Sequence, residues 1–280
     1  MLELISEHAC FGGVQRFYRH HSAAIGLPMR FSVFLPPQAQ TGKVPALFYL
    51  AGLTCTEETF MIKAGAQHVA AQLGMMLIAP DTSPRGANVA GETDNWDLGV
   101  GAGFYVDATT APWSQHYRMY SYVLELHELI VREFPVQAER IGITGHSMGG
   151  HGALVMALRN PALFKSVSAF APVCAASRCP WGMKAFSAYL GSDQTDWQQY
   201  DASALMALST TPFPGGILID QGLGDKFLPD QLLPEVFEAA CEKAQQPLEL
   251  RRHDSYDHGY YFIATFIEEH LQFHARQLIK

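Results

Sequence analysis

The sequence predicts an α/β fold, a mostly parallel central sheet with helices on both faces, on three observations. Short continuous apolar runs alternate with longer helical runs along most of the chain, the pattern of strands covered on both sides. Apolar residues make up 48% of 280 residues, enough for one large core, so 1–280 is read as a single domain. A glycine-flanked pentapeptide, Gly145-His146-Ser147-Met148-Gly149, stands between a strand-like run and a helix-like run.

The elements follow in order. Residues 30–35 read as a strand ended by Pro36-Pro37. Residues 45–50 read as a buried strand, followed by Ala51-Gly52-Leu53-Thr54. A helix is expected over 60–73 and a strand over 74–80. The stretch 81–113 is rich in Gly and Asp and lacks periodicity, the mark of a functional or covering loop. Residues 114–134 read as a long helix closed by Pro135. A strand over 140–144 leads into the pentapeptide, and a helix over 151–159 stops at Asn160-Pro161. Residues 166–170 form the next strand, and 174–210 a second irregular, partly helical region. Strands over 216–222 and 248–252 flank a helix over 230–244, and a helix over 260–278 closes the chain.

Composition excludes several classes of function. The formal net charge of -8 argues against nucleic acid and anionic membrane surfaces as partners. No apolar run is long enough to cross a bilayer. Glu3 and Glu7 interrupt the N-terminal stretch, which lacks the basic start and apolar core of a signal peptide. A cytoplasmic setting is therefore expected. The five cysteines, Cys10, Cys55, Cys174, Cys179 and Cys241, are scattered and read as free thiols. Cys174 and Cys179 are close, but no second pair or flanking His completes a zinc pattern, so no metal is expected.

The pattern G-x-S-x-G between strand and helix is the nucleophile elbow of the α/β-hydrolase fold. The turn projects the Ser147 hydroxyl beyond the carboxyl end of the sheet, beside a helix N-terminus that favours negative charge. A serine needs a base, and the base an orienting carboxylate, in chain order Ser, acid, His. Of twelve histidines, His116, His127, His270 and His274 fall on helical stretches and read as surface or packing residues. His146, the variable residue of the elbow, cannot aim back at its neighbour's hydroxyl. His258, on the loop after the last strand, is preferred as the base over His253 at that strand's end. Asp225, past two glycines on a turn, is preferred as the acid over Asp220, inside the strand, and Asp257, beside the histidine. Oxyanion donors are expected from the backbone N–H groups of Met148 and Leu53.

Longer strings resemble one family. Gly52-Leu53-Thr54-Cys55, Ala79-Pro80-Asp81-Thr82-Ser83-Pro84-Arg85-Gly86, Gly101-Ala102-Gly103-Phe104-Tyr105, Ala111-Pro112-Trp113, the elbow extended to Leu154, Pro180-Trp181-Gly182 and Tyr256-Asp257-His258-Gly259-Tyr260-Tyr261-Phe262 are similar to motifs of the S-formylglutathione hydrolases. These belong to the esterase D branch of the α/β-hydrolases. The resemblance runs from about Phe11 to the C-terminus. It implies hydrolysis of S-formylglutathione to formate and glutathione in formaldehyde detoxification, with side activity on small acyl esters and no cofactor. It implies Ser147 as nucleophile, Asp225 as acid and His258 as base, with Leu53 and Met148 forming the oxyanion hole. Cys55 matches a cysteine beside the site that makes such enzymes sensitive to thiol reagents. Trp181 matches a residue lining the glutathione side of the cleft. Ala51 and Gly224 stand where serines are usual, and neither change removes a catalytic group. The family commonly forms homodimers, though no stretch here marks an interface.

A formyl group is small, so a small acyl pocket is expected. Lys63, Arg85, Arg178 and Lys184 are candidates to meet the glutathione carboxylates, each against the plainer reading of a solvated charge. Two other functions compete: a broader carboxylesterase on the same fold, and a silent binding protein that kept it. The complete set of triad residue types weighs against the second.

Overall fold

The computed structural model describes residues 2–279. Its strands are β1 (Leu2–Cys10), β2 (Gly13–His21), β3 (Pro28–Leu35), β4 (Val44–Leu50), β5 (Met76–Pro80), β6 (Val136–Gly145), β7 (Val167–Phe170), β8 (Ile217–Gly222) and β9 (Leu248–His253). They form a nine-stranded sheet in the order β1-β2-β3-β5-β4-β6-β7-β8-β9. From β5 through β4 and β6 to β9 every pairing is parallel. β1, β2 and β3 extend the sheet by antiparallel pairing onto β5.

The helices are α1 (Thr59–Lys63), α2 (Gln67–Leu73), α3 (Met119–Glu133), α4 (Met148–Arg159), α5 (Pro180–Leu190), α6 (Gln194–Trp197), α7 (Ala202–Leu208), α8 (Pro234–Ala244) and α9 (Tyr260–Leu278). They lie on both faces, as β7 shows by alternation. Ser168 points to His270 and His274 of α9, while Ala169 on the other side backs Gly150 of α4. One contiguous apolar cluster joins both layers to the sheet. β4 is buried along its whole length, which is why it reads as an unbroken apolar run.

The structure departs from the sequence expectations in particular places. β1 and β2 are strands that the apolar pattern did not reveal. β1 is half-buried at best, so it carries no apolar face to read. Its register instead sets Glu3 opposite Arg19 and Glu7 opposite Arg16, each closed as an ion pair, at 2.8 and 2.6 Å. The helix expected over 60–73 is two helices broken at Gly65, whose φ of +69° is left-handed. The helix expected from 114 begins at Met119. Residues 110–117 instead fold back in turns, with Ala108 N–H bonded to Tyr117 O. Asp107 then holds the first turn of α3 through the Ser121 N–H at 2.9 Å. The helix expected from 230 begins at Pro234, where a missing N–H costs nothing.

Candidate active site

β6 delivers the chain to the elbow, and the elbow depends on two missing side chains. A Cβ on Gly145 would sit 2.2 Å from Gly149 O, and one on Gly149 would sit 1.9 Å from Leu50 O. Only glycine lets the turn close against the end of β4. Ser147 adopts φ 57°, ψ -120°, outside the regions open to an ordinary residue. Its backbone is held from both sides: its N–H donates to Phe170 O at 3.0 Å, and its C=O accepts from His151 and Val173. The strain is therefore set by the sheet and α4 rather than by the serine itself.

Ser147 and His258 border the same cavity, of about 130 Å³, together with Gly52, Leu53, Cys55 and Trp181. The His258 Nδ1 lies 2.5 Å from Asp225 Oδ2. Asp225 is 3% exposed. Its other oxygen accepts the Phe227 N–H at 2.8 Å, which fixes the carboxylate on the turn after β8. The structure thus brings together the serine, imidazole and carboxylate preferred from the sequence. Ser147 and the imidazole share the wall of this cavity.

Leu53 borders the cavity, and a Cβ on the preceding Gly52 would stand 3.2 Å from Ser147 Cβ. Met148 is the first residue of α4, so its N–H has no acceptor within the helix. Leu53 and Met148, the two residues expected to supply oxyanion donors, thus both stand close to the serine, Met148 next to it in the chain and Leu53 beside it on the cavity wall. Cys55 is on the cavity wall with its thiol pushed up by burial, an effect partly offset by hydrogen bonding to Tyr260 and Thr59. It stays a neutral thiol rather than a nucleophilic thiolate.

The rejected candidates have other partners. His253 lies 3.3 Å from Asp220 and stacks on Phe266 at 3.9 Å. Asp220 is wholly buried and bound by Arg251 through two contacts of 2.6 Å. Asp257 caps the Gly259 N–H. Of the four cations considered for glutathione, Lys184 is paired with Asp97 at 2.5 Å and Lys63 rests over the Tyr260 ring at 5.7 Å. Arg178 borders a separate groove beside α7 and α8. Arg85 is bound to Asp81 at 2.7 Å and also donates to Cys55 O at 3.2 Å.

Four further residues complete the cavity wall. Trp96, half-exposed, meets Trp181 edge to face with centroids 5.6 Å apart. Phe227 packs on Trp181 and on the His258 ring. Tyr260 begins α9 and borders the cavity. His146, read from the sequence only as an elbow spacer, turns its ring toward His258, with centroids 4.5 Å apart. Burial and then the neighbouring His258 hold His146 well below the usual histidine range, so it is a neutral wall for the base. Trp96 and Phe227 sit in aperiodic loops, where no sequence signal marks them. The G-H-S string and the family-like string containing Tyr260 are the signals available for the other two.

Comparison with known proteins agrees with this geometry. The family model described as "Putative esterase" matches residues 22–273. An S-formylglutathione hydrolase of Rattus norvegicus is 54% identical over 279 residues, covering 99% of each chain. One from Mus musculus is 55% identical over 280 residues, again with 99% of each chain covered. The solved structure of an S-formylglutathione hydrolase from Agrobacterium tumefaciens is 47% identical. It covers 98% of this chain and 99% of its own, with a TM-score of 0.95. At 19% identity, an S-formylglutathione hydrolase from Staphylococcus aureus shares the fold with a TM-score of 0.72.

Proposed function

From the chain's membership of the esterase family, among the full-length relatives of the S-formylglutathione hydrolases, we infer that it hydrolyses S-formylglutathione to formate and glutathione. The observation that carries the reading is the Asp225–His258 pair, 2.5 Å apart, facing the cavity that Ser147 borders.

The reaction runs as acyl transfer. His258 Nε2 takes the Ser147 proton as Oγ attacks the formyl carbon. Asp225 holds Nδ1–H, so the free nitrogen faces the serine, and it stabilises the imidazolium that forms. The oxyanion sits against the Leu53 and Met148 N–H groups, each such donor being worth about 3 kcal/mol of barrier. The C–S bond breaks, and the sulfur leaves with the proton held by His258. A thiol, with a pKa of about 8.5, leaves more readily than an amine. Water, deprotonated by His258, then attacks the formyl-serine and releases formate, returning the proton to Ser147. Every proton is moved by the imidazole, and the step sequence needs no cofactor.

Cavity size sets the acyl range. A volume near 130 Å³ admits formyl or acetyl beside the serine and excludes long acyl chains. The described cysteines are all free, in keeping with a reducing, cytoplasmic setting.

The test is a comparison of kcat/KM for S-formylglutathione and for an aryl acetate on the purified protein. The reading expects the thioester to be preferred by about a hundredfold or more, the scale of binding energy that a recognised leaving group can supply. Equal values would overturn it in favour of a general carboxylesterase. Labelling by a fluorophosphonate, lost in Ser147→Ala, tests the nucleophile separately.

A further inference from the structure

A second, larger and more polar cleft lies beside the catalytic cavity. Its volume is about 510 Å³, and Arg19, Arg30, Arg85, Glu57, Glu58 and Asp81 border it. The two spaces share one stretch of backbone. Cys55 forms part of the catalytic wall, while Thr56 and Glu57, which follow it, form part of the cleft. Arg85 in the cleft donates to the carbonyl of Cys55, which ties the two walls together.

Glu57 is the unusual member. It is 3% exposed, and its carboxylate borders the cleft with Arg30 Nη1 at 3.9 Å as its nearest cation. Its own backbone N–H is the one donor that acts on that carboxylate among the described residues. A buried carboxylate with one local donor and a cation only at 3.9 Å is incompletely compensated. Burial, and then the proximity of Asp81, raise its pKa above the ordinary value. Arg30 is the complement. Its side chain is 52% exposed, and among the described residues that loose contact is its one ion pair, whereas Arg85 is bound to Asp81 and Arg19 to Glu3. A buried carboxylate and a half-exposed guanidinium, joined only loosely, therefore stand side by side. The six charged side chains around the cleft sum to zero, which suits neither a plain anion nor a plain cation. They suit a group carrying both signs on one carbon.

We propose that this cleft seats the γ-glutamyl end of the glutathione moiety, with its α-ammonium on Glu57 and its α-carboxylate on Arg30. The proposal rests on the reaction inferred above, and the distances allow it. Asp81 follows directly on β5, and Ser147 on β6, with β4 between them. Two strand spacings separate them, or about 10 Å. The sulfur of glutathione is seven bonds from the α-carbon of its γ-glutamyl residue, roughly 9 Å when extended. A thioester placed at Ser147 thus reaches the cleft across the 53–56 ridge. This assignment replaces the cations considered from the sequence, since Arg85 acts here by holding the wall rather than by binding the substrate.

The experiment measures kcat/KM for S-formylglutathione and for an aryl acetate in wild type, Arg30→Ala and Glu57→Gln. The ratio of thioester to aryl ester is expected to fall about tenfold or more in each variant, through KM, as loss of a charged hydrogen bond requires. Arg30 is exposed, so its variant keeps the test valid even if the Glu57 variant folds poorly. S-formylglutathione acetylated on the γ-glutamyl nitrogen should lose about tenfold with wild type and nothing further with Glu57→Gln. Ratios within about twofold of wild type, or additive losses for the acetylated substrate and Glu57→Gln, would overturn the cleft assignment. A wild type that does not prefer S-formylglutathione would instead overturn the reaction itself, so the two failures are distinguishable.

Discussion

Asp220 lies inside β8 and Asp225 just past it, and each faces a histidine that is grouped with a serine. Beyond the strand, Asp225 holds His258 at 2.5 Å beside the cavity of Ser147. Within the sheet, Asp220 Oδ2 lies 3.3 Å from His270 Nε2, and His270 Nδ1 lies 2.8 Å from Ser168 Oγ. The residue types and their order are the same. Ser168, however, is fully buried on β7 and already has Thr144 and His274 at 2.8 Å as further partners. Ser147 occupies a strained junction that opens on a cavity, at the start of α4. The difference teaches that Asp, His and Ser can be grouped as a buried cross-link as readily as at the wall of a cavity. What suits the second group for the proposed reaction is the turn that carries the hydroxyl to a cavity, the feature that the buried group lacks.

The largest contrast comes from deleting each serine. Ser147→Ala should lower kcat on the order of 10^5-fold or more while leaving the urea midpoint close to wild type. Ser168→Ala should do the reverse. It strips partners from His270 and His274 in a dry interior, costing about 1–3 kcal/mol, and leaves kcat of the folded protein nearly intact. If Ser168→Ala matched the kinetic loss of Ser147→Ala in the folded state, the two clusters would not be functionally distinct.

The two carboxylates come next. Asp225→Asn should lower kcat about 10^4-fold, because the amide favours the wrong imidazole tautomer, with an intact fold. Asp220 opposes its own burial, which would raise its pKa, through His270 and Arg251, which hold it well below the usual carboxylate range. Asp220→Asn leaves Arg251 without that counter-charge and should cost about 3 kcal/mol of stability. Its folded fraction should turn over within about threefold of wild type, since well-separated sites act independently. Circular dichroism melts and single-turnover rates on the same samples separate the two outcomes.

The two clusters also differ in how far the sequence disclosed them. Ser147, Asp225 and His258 were legible because each follows a strand, and the order of strand ends constrains which residues can meet. The parallel half of the sheet was legible for a related reason: strands buried on both faces are apolar without interruption, as in β4. The edge was not. β1 shows water most of its surface, so its order comes from cross-strand charge pairs that a hydropathy reading passes over. Trp96 and Phe227 were hidden because loop residues reach the cavity through tertiary folding alone. His270 and His274 read as ordinary helical histidines, although their spacing of one helical turn places them on one face. That face meets Ser166 and Ser168, a pairing that only the sheet register supplies.

The smallest effect sharpens the comparison through acid. His258 reaches the cavity, but His151, in the first turns of α4, is fully buried. Its Nε2 lies 3.1 Å from Phe104 O, and burial lowers its pKa from 6.5 to about 4. The same cause holds His274 well below the usual range. In the unfolded chain these imidazoles protonate near their ordinary value, while in the folded chain His151 resists until about pH 4. Between those limits the unfolded state binds more protons, so stability falls as pH drops and is flat above pH 7. For His151 alone the loss is at most about 3 kcal/mol once the pH passes below its folded value. His151→Leu removes that contribution, at the cost of the Phe104 contact. The difference in unfolding free energy between about pH 7 and pH 4.5 should therefore shrink by about 2 kcal/mol relative to wild type. Urea titrations at the two pH values measure it, and an unchanged difference would mean that His151 takes up its proton equally in both states.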